Sequence, residues 1–368
     1  MPSSHLAFLE ITGAPRQRGR IYGEGLRKLI GERDRRWRHE IETHGKMAAD
    51  AFIDGFLQQT NFLPAIDRWT SDLHEEVRGI AEGAGLPYPA VLAAQFMDEE
   101  WWFQRHSHAH CSSFGAAAAG QTTLVGQTMD LPSWMEGFQT LLLIRGAQPG
   151  LDAYVVTAAG MIALMGMNSR GLAVSVNTML QLKHAEDGLP VAFVTRHLIE
   201  TAALRDAVQF VQDVRHASGQ NYVIGDAREV RDFECGAGIV VEHEGDRGRV
   251  WHTNHPLVNG NLRPDRTEPW WEHKLQDSGT RLAALERRMA GGTPFSAERA
   301  KMMLASRDHR EFPVSQEVSK DSDGCTFAAM VAELGPEPRL SVAAGAPSRH
   351  PFTAFDFGKP AGVTRAAE

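Results

Sequence analysis

The periodicity of this chain changes once, near residues 105–111, and that single change limits the folds open to it. Before it, helical spacing dominates. A strand-like segment over residues 6–11 and the Gly13-Ala-Pro15 turn lead into a stripe of Leu26, Leu29, Ile30, Trp37 and Ile41, spaced for one helix face. A second helix is predicted over residues 47–57. Asp72 followed by Glu75 reads as a capping box that opens a third, with Leu73, Val77, Ile80 and Ala81 buried and Gly85 and Pro87 ending it. Pro89 opens a fourth, running towards Trp101. Residues 105–110 have no periodicity and read as an accessible linker.

Beyond Cys111 short apolar runs replace the helices. Residues 122–128, 141–145, 153–157, 162–167 and 172–176 read as strands separated by Gly, Pro or Asp turns. Helices follow over 191–200 and 204–214, then strands over 221–224, 230–234, 238–242 and 249–253. Two further helices, 279–290 and 296–305, precede strands over 325–333 and 339–343 and a polar tail after Pro360. Blocks of strands and helices do not make the regular alternation of a doubly wound parallel sheet. They predict an α+β chain with two mostly antiparallel sheets covered by helices.

Composition removes several function classes. With 42% hydrophobic and 23% charged residues, the 368-residue chain is built like a globular protein. It has no apolar run long enough to span a bilayer, and its first ten residues lack a signal peptide's basic end and apolar core. A cytoplasmic location with no membrane partner is therefore expected. The formal charge of −8 argues against nucleic acid, and the basic run Arg33-Asp-Arg-Arg-Trp-Arg38 reads as a solvated helix face. The cysteines at 111, 235 and 325 form no CxxC pair and read as free thiols.

The chemistry centres on His110-Cys111-Ser-Ser-Phe114, followed by a strand-like run ending in Gly126-Gln-Thr-Met-Asp130. If the bond before Cys111 breaks, one residue carries both a thiol nucleophile and an α-amine. The amine, with a pKa of about 7.7–8.0, can take the thiol proton and return it to a leaving group. Such a site also needs an acceptor for the ammonium and donors for a tetrahedral oxyanion. Asp130 could orient the amine, the Asn177 backbone N–H could face a reacting carbonyl, and Asn254 in Trp251-His-Thr-Asn-His255 could supply a side-chain donor. Residue chemistry alone leaves the bland reading open: a buried cysteine acts as a small hydrophobe, and strand-end Asp or Asn fixes turns.

Four segments in order carry a resemblance that shifts this balance. They are Gly13-Ala-Pro-Arg-Gln-Arg-Gly-Arg-Ile-Tyr-Gly23, Cys111-Ser-Ser-Phe114 with Gly126-Gln-Thr-Met-Asp130, Gly166-Met-Asn-Ser-Arg-Gly-Leu-Ala-Val-Ser-Val-Asn177, and Thr253-Asn-His255. With them the chain resembles the penicillin acyltransferase-like branch of the N-terminal-nucleophile hydrolases, and more distantly the conjugated bile-salt hydrolases and penicillin V acylases. The resemblance implies a four-layer αββα sandwich and self-cleavage between His110 and Cys111. Residues 1–110 would become an α subunit that stays a partner of the catalytic 111–368 chain, together one domain. It implies Cys111 as nucleophile and base, Asp130 orienting the amine, and the Asn177 backbone and Asn254 side chain as oxyanion donors. The expected reaction is hydrolysis of a small linear amide, of N-acyl or β-alanyl amine type, through a thioester. Acyl transfer to an amine is the alternative. No cofactor is implied, and a homo-oligomer is.

The chain departs from the family pattern in places. His110 stands where the family commonly has Gly, which tolerates a strained scissile conformation at lower cost. Gly-Gln-Asn-Trp-Asp becomes Gly126-Gln-Thr-Met-Asp130, keeping the carboxylate. Gln127 replaces an arginine of the bile-salt relatives, which leaves thiolate stabilisation to other groups; Arg307 is a weak candidate for a second family arginine, and His309 a supporting residue at long range. An uncut Cys-His hydrolase using His255 or His309 would need an imidazole within about 3 Å of the thiol. His252 and His255 otherwise read as strand-end packing. His106, His108, His110 and Cys111 alternate as metal ligands could, but no carboxylate or second cysteine lies nearby, so no metal is expected. The acidic stretches 98–100 and 321–323 read either as solvent-facing or as contacts for an amine-bearing substrate. Cys325 reads as structural.

Overall fold

A computed structural model describes residues 6–104, 110–264, 270–290, 294–319 and 323–358. The helical portion holds β1 (Ala7–Thr12), then α1 (Pro15–Gly25), α2 (Arg27–Gly45), α3 (Ala49–Gln59), α4 (Leu63–Ala84), α5 (Tyr88–Ala93) and α6 (Met97–Gln104). The anticipated stripe lies on α2, with Leu26 as its N-cap, and Leu26, Ile30, Trp37 and Ile41 are all buried. The third predicted helix begins earlier than Asp72: α4 starts at Leu63, with Pro64 in its first turn and a non-helical Thr70 inside it. Asp72 is therefore not its N-cap. Gly85 does stop it, in the left-handed conformation at φ 70° that glycine adopts without a Cβ penalty.

α1 and α4 pack backbone to backbone. A methyl at Gly19 would lie 2.0 Å from the Glu76 carbonyl oxygen, and one at Gly79 would lie 2.1 Å from that of Arg16. No side chain can move to relieve such a collision, so the two helices require glycine at their crossing. The early glycine-rich segment of the sequence is thus a packing device.

The strand portion begins with β2 (Ser112–Ala116) and β3 (Thr123–Pro132), followed by β4 (Gln139–Gln148), β5 (Leu151–Ala158), β6 (Met165–Asn168) and β7 (Ala173–Thr178). After α7 (Val191–Ile199) and α8 (Leu204–Asp213) come β8 (Gln220–Gly225), β9 (Val230–Gly236), β10 (Ile239–Glu242) and β11 (Arg249–His252). Then α9 (Trp270–Met289) and α10 (Ala297–Leu304) precede β12 (Gly324–Leu334), β13 (Arg339–Ala343) and β14 (Thr353–Asp356). One sheet runs β1-β4-β5-β6-β7-β8-β9-β10 and the other β11-β2-β3-β12-β13-β14. Among the described strands, only the β1–β4 pairing is parallel.

β2 and β3 lie across from β7 and β8, α7 and α8 cover the first sheet, and α9 and α10 cover the second. The architecture is the expected αββα sandwich. Residues from both sides of the 105–109 segment share one core, among them Trp37, Ile80, Trp101, Cys111, Met129 and Met161. No helix among the described residues is long and apolar enough to cross a membrane.

Candidate active site

Strand register brings the candidate residues together. Ser112 pairs with Thr128 and Ser113 with Gln127, so Cys111 falls opposite Met129. Its sulfur lies 3.5 Å from Met129 Sδ and 4.0 Å from the Asp130 carbonyl oxygen. On the other flank of β2, His252 pairs with Ser113, and continuing that antiparallel register carries Asn254 alongside Cys111. Asp130 pairs with Thr326 on β12, beside a bulge between Thr326 and Ala328. Cys111 leads directly into β2, a strand in which Phe114 is the one good strand former among Ser, Gly and Ala, and that weak β-propensity hid it in the sequence.

The facing sheet is tied in by Gln127. Its side-chain carbonyl accepts from the Val176 N–H at 2.7 Å, and its amide donates to the Val176 carbonyl at 3.1 Å. That bridge fixes β7 over the nucleophile. Val176 and Thr178 line the cavity at Cys111. By alternation the Asn177 side chain points the other way, where its oxygen accepts from the Ser113 hydroxyl and from Asn221. Asn177 does not line that cavity: with both Val176 backbone groups taken by Gln127, the Asn177 backbone turns to β8, where it pairs with Asn221, so the expected oxyanion N–H is not presented there.

Arg281 on α9 organises the rest, and the sequence reading missed it. Fully buried, it donates to the Cys111 carbonyl at 2.6 Å, to Ser112 Oγ at 3.0 Å and to Asn254 Oδ1 at 3.0 Å, and pairs with Asp277 at 3.0 Å. Asn254 in turn donates one amide hydrogen to the Thr178 carbonyl at 3.0 Å, so its second hydrogen remains for another acceptor. The guanidinium supplies the positive charge that Gln127 does not. The only signal for it was the Asp277–Arg281 spacing, which on a helix reads as an ordinary surface pair.

His110 is clamped on the same network. Its Nδ1 meets Asp277 at 2.5 Å and its Nε2 accepts from Lys274 at 2.7 Å, roles assigned from these partners. Both ring nitrogens are occupied, so the imidazole anchors the residue before Cys111. Burial lowers the His110 pKa, against the pull of Asp277. Asp277 is held far below the carboxylate range despite its burial, chiefly by Arg281 and then by His110.

Burial pushes the Cys111 thiol up to about 12, with the Asp130 charge adding to the effect and Arg281 opposing it. Burial likewise raises the Asp130 carboxyl to about 7; the Thr326 hydroxyl lies near enough to favour its charged form slightly, but neither carboxylate oxygen has a hydrogen-bond partner. The thiol and this orphaned carboxyl face a cavity of only about 20 Å³, room for about one water, lined largely by Met97, Trp101, Leu131, Met161 and Leu164.

Other candidates lie elsewhere. His255 meets Ser278 at 2.7 Å and is lowered to about 4 by burial, and buried His252 bonds Glu234 at 2.8 Å. His309 stacks on Phe312, and Arg307 pairs with Glu317. No imidazole among the described residues bonds the thiol, so nothing here serves the Cys-His alternative. His106 and His108, and Asp321 of the acidic loop, lie outside the described residues. Asp98, Glu99 and Glu100 do not face solvent: Asp98 accepts from Thr178 and Gln220, Glu99 from Ser218 and the Val191 N–H, and Glu100 from Trp37. The basic run is likewise only partly solvated, since Arg33 and Asp34 are buried. Cys325 is buried within β12.

Two facing sheets between helical layers, with a cysteine at the start of a central strand, place the protein among the N-terminal-nucleophile hydrolases in architecture. More narrowly, the chain belongs to the acyl-coenzyme A:6-aminopenicillanic acid acyl-transferase family, whose sequence model matches residues 118–349. That span contains Asp130, Asn177 and Asn254 and begins after Cys111. A curated relative, the acyl-coenzyme A:6-aminopenicillanic-acid-acyltransferase 40 kDa form of Emericella nidulans, is 25% identical over 251 residues, 67% of each chain. Among solved structures, penicillin V acylase from Agrobacterium tumefaciens aligns with TM-score 0.42 and 13% identity over 70% of this chain and 90% of that one. A conjugated bile acid hydrolase from Clostridium perfringens aligns with TM-score 0.46 and 11% identity over 70% and 95%.

Proposed function

We propose that this protein is an N-terminal cysteine amidohydrolase that matures by cutting itself before Cys111 and then cleaves small linear amides through a thioester. The observation that carries the reading is the Asp130 carboxyl, buried without a donor beside an equally buried thiol. Arg281 acts on this carboxyl only through space, so it lacks a cation in hydrogen-bond contact, and an α-ammonium on Cys111 would supply one in place.

In maturation the Cys111 sulfur attacks the His110 carbonyl carbon. The S–C bond forms, the C–N bond breaks, and the thiol proton passes to the departing nitrogen, which becomes the Cys111 α-amine. Water then releases His110 as a carboxylate. The clamp of Asp277 and Lys274 on His110 holds the scissile residue where the family more often has glycine. Release of the His110 carbonyl from Cys111 would widen the small cavity at Cys111 towards the one at Asn254, both of which are lined by Thr178.

In turnover the α-amine, oriented by Asp130, takes the thiol proton as sulfur attacks the substrate carbonyl. The unspent Asn254 amide hydrogen stabilises the oxyanion. The ammonium then protonates the leaving amine, and water, activated by the same amine, hydrolyses the thioester. Residues 1–110 remain bound after the cut. Gln95 bonds both Gly160 and Ile162, Tyr22 bonds Gly160, and Glu76 lies in a buried cluster with Arg18 and Arg196.

Incubation with short N-acyl amides followed by acid quench and intact mass tests this. The wild-type 111–368 chain should carry the acyl mass on Cys111, and Cys111→Ala should carry none and turn over nothing. An adduct of equal amount on Cys111→Ala would sink the assignment. Added amine nucleophiles separate hydrolysis from acyl transfer, because a transferase would yield the new amide at the expense of the free acid.

A further inference from the structure

Arg33, which its sequence neighbours place on a solvated face, is only 5% exposed. Its Nε is buried without a hydrogen-bond partner, and the guanidinium forms no ion pair among the described residues. The acids nearest in charge are engaged: Asp34 pairs with Arg38 at 2.9 Å, and Glu100 accepts from Trp37 at 3.0 Å. Glu100 is also raised to about 8 by burial, so near neutral pH it offers Arg33 little countercharge. The nearby Tyr22 hydroxyl is committed to the 158–161 turn. An uncompensated buried guanidinium is costly, and its planar fork matches a carboxylate that could complete it.

The surroundings say what kind of ligand. Arg33 lines a cleft of about 380 Å³ with Trp37, Glu100, Trp101 and Trp134. That cleft and the cavity at Cys111 share Met97, Trp101 and Met161 as a common wall. The inner space adjoins the sulfur and is walled mostly by apolar side chains, so once the cut at Cys111 widens it, it suits a small acyl group. The outer space holds the unpaired cation, so it suits the amine half of the same amide. Of the other acids on the cleft wall, Glu40 pairs with His44 at 3.1 Å and Asp323 is exposed, which leaves the buried end to Arg33.

We propose that Arg33 binds a carboxylate on the amine portion of the substrate, making the substrates apolar N-acyl amino acids. The inference rests on the amidohydrolase reading for its catalytic arm only.

N-butyrylglycine and N-butyrylglycinamide differ in this one charge and serve as probes. Wild type should favour the acid over the amide by tenfold or more in kcat/KM, mostly through KM, and Arg33→Met should bring that ratio close to one. A second arm needs no turnover. N-butyrylglycine should raise the melting temperature of wild type and not of Arg33→Met, while N-butyrylglycinamide should do little to either. Without ligand, Arg33→Met should melt no lower than wild type, because it removes an unpaired buried charge. Equal loss on both probes, a lower unliganded melting temperature, or the absence of any acid-specific shift in wild type would each overturn the proposal. Failure of the amidohydrolase reading shows differently, as no turnover and no Cys111 adduct while the melting arm still responds to the acid.

Discussion

Asp130→Asn is expected to stabilise the uncut chain and to cripple the cut one. In the uncut chain the carboxyl lies near pKa 7, raised from an unfolded value of about 3.9. A group raised in this sense contributes stability that is complete below about pH 4 and is lost as pH rises through 7. Above that, the folded chain must carry an unpaired buried charge or a proton that the unfolded chain would release. The loss is on the order of 2–4 kcal/mol. Glu99 and Glu100, both raised to about 8, slope the same way and stay as background. Against Cys111→Ala, which should not be cut, adding Asp130→Asn should therefore raise the melting temperature at pH 8 and leave it nearly unchanged at pH 4. In the otherwise native sequence it should lower kcat by on the order of 10²-fold or more, because the α-amine loses its anchor. An unchanged melting curve at both pH values, with unchanged kcat, would remove Asp130 from the account.

The second large effect concerns Arg281. Replacement by methionine leaves Asp277 buried beside a neutral side chain, for a cost of about 3–5 kcal/mol, the usual penalty for breaking a buried pair. It also frees the Asn254 amide to turn over and strips the Cys111 carbonyl of its donor. Arg281→Lys should not restore the site, since one ammonium cannot serve Asp277, Asn254 and the Cys111 carbonyl in a fixed fork. The double change Asp277→Leu with Arg281→Met should recover much of the denaturant midpoint and none of the activity. Recovery of activity with stability would mean that Arg281 only holds α9 in place.

Much of the fold was legible because it rests on local periodicity. Most strand and helix positions after Cys111 fell where the apolar runs placed them, and the ordered segments from Gly13 to Asn254 pointed to the αββα sandwich. What failed depended on distant neighbours. The short strand at 112–116 is made of residues with weak strand preference and exists because β3 and β11 flank it. The one at 353–356 exists because β13 offers an edge. Asp98, Glu99, Glu100 and Arg33 looked solvated because they are charged, yet partners or walls from remote segments cover them. Arg281 was invisible for a related reason: its role comes from facing Cys111 and Asn254, from which it is far removed in sequence. Asp130 was legible as a candidate, but only packing shows that it is a carboxyl without a donor.

Intact mass with N-terminal sequencing of freshly purified and aged protein bears most directly on whether thiol and α-amine meet on one residue. Two chains, the larger beginning at Cys111, are the expected result for the native sequence, against one full-length chain for Cys111→Ala. A native protein that turns over amides while remaining a single chain from its first residue would contradict the account.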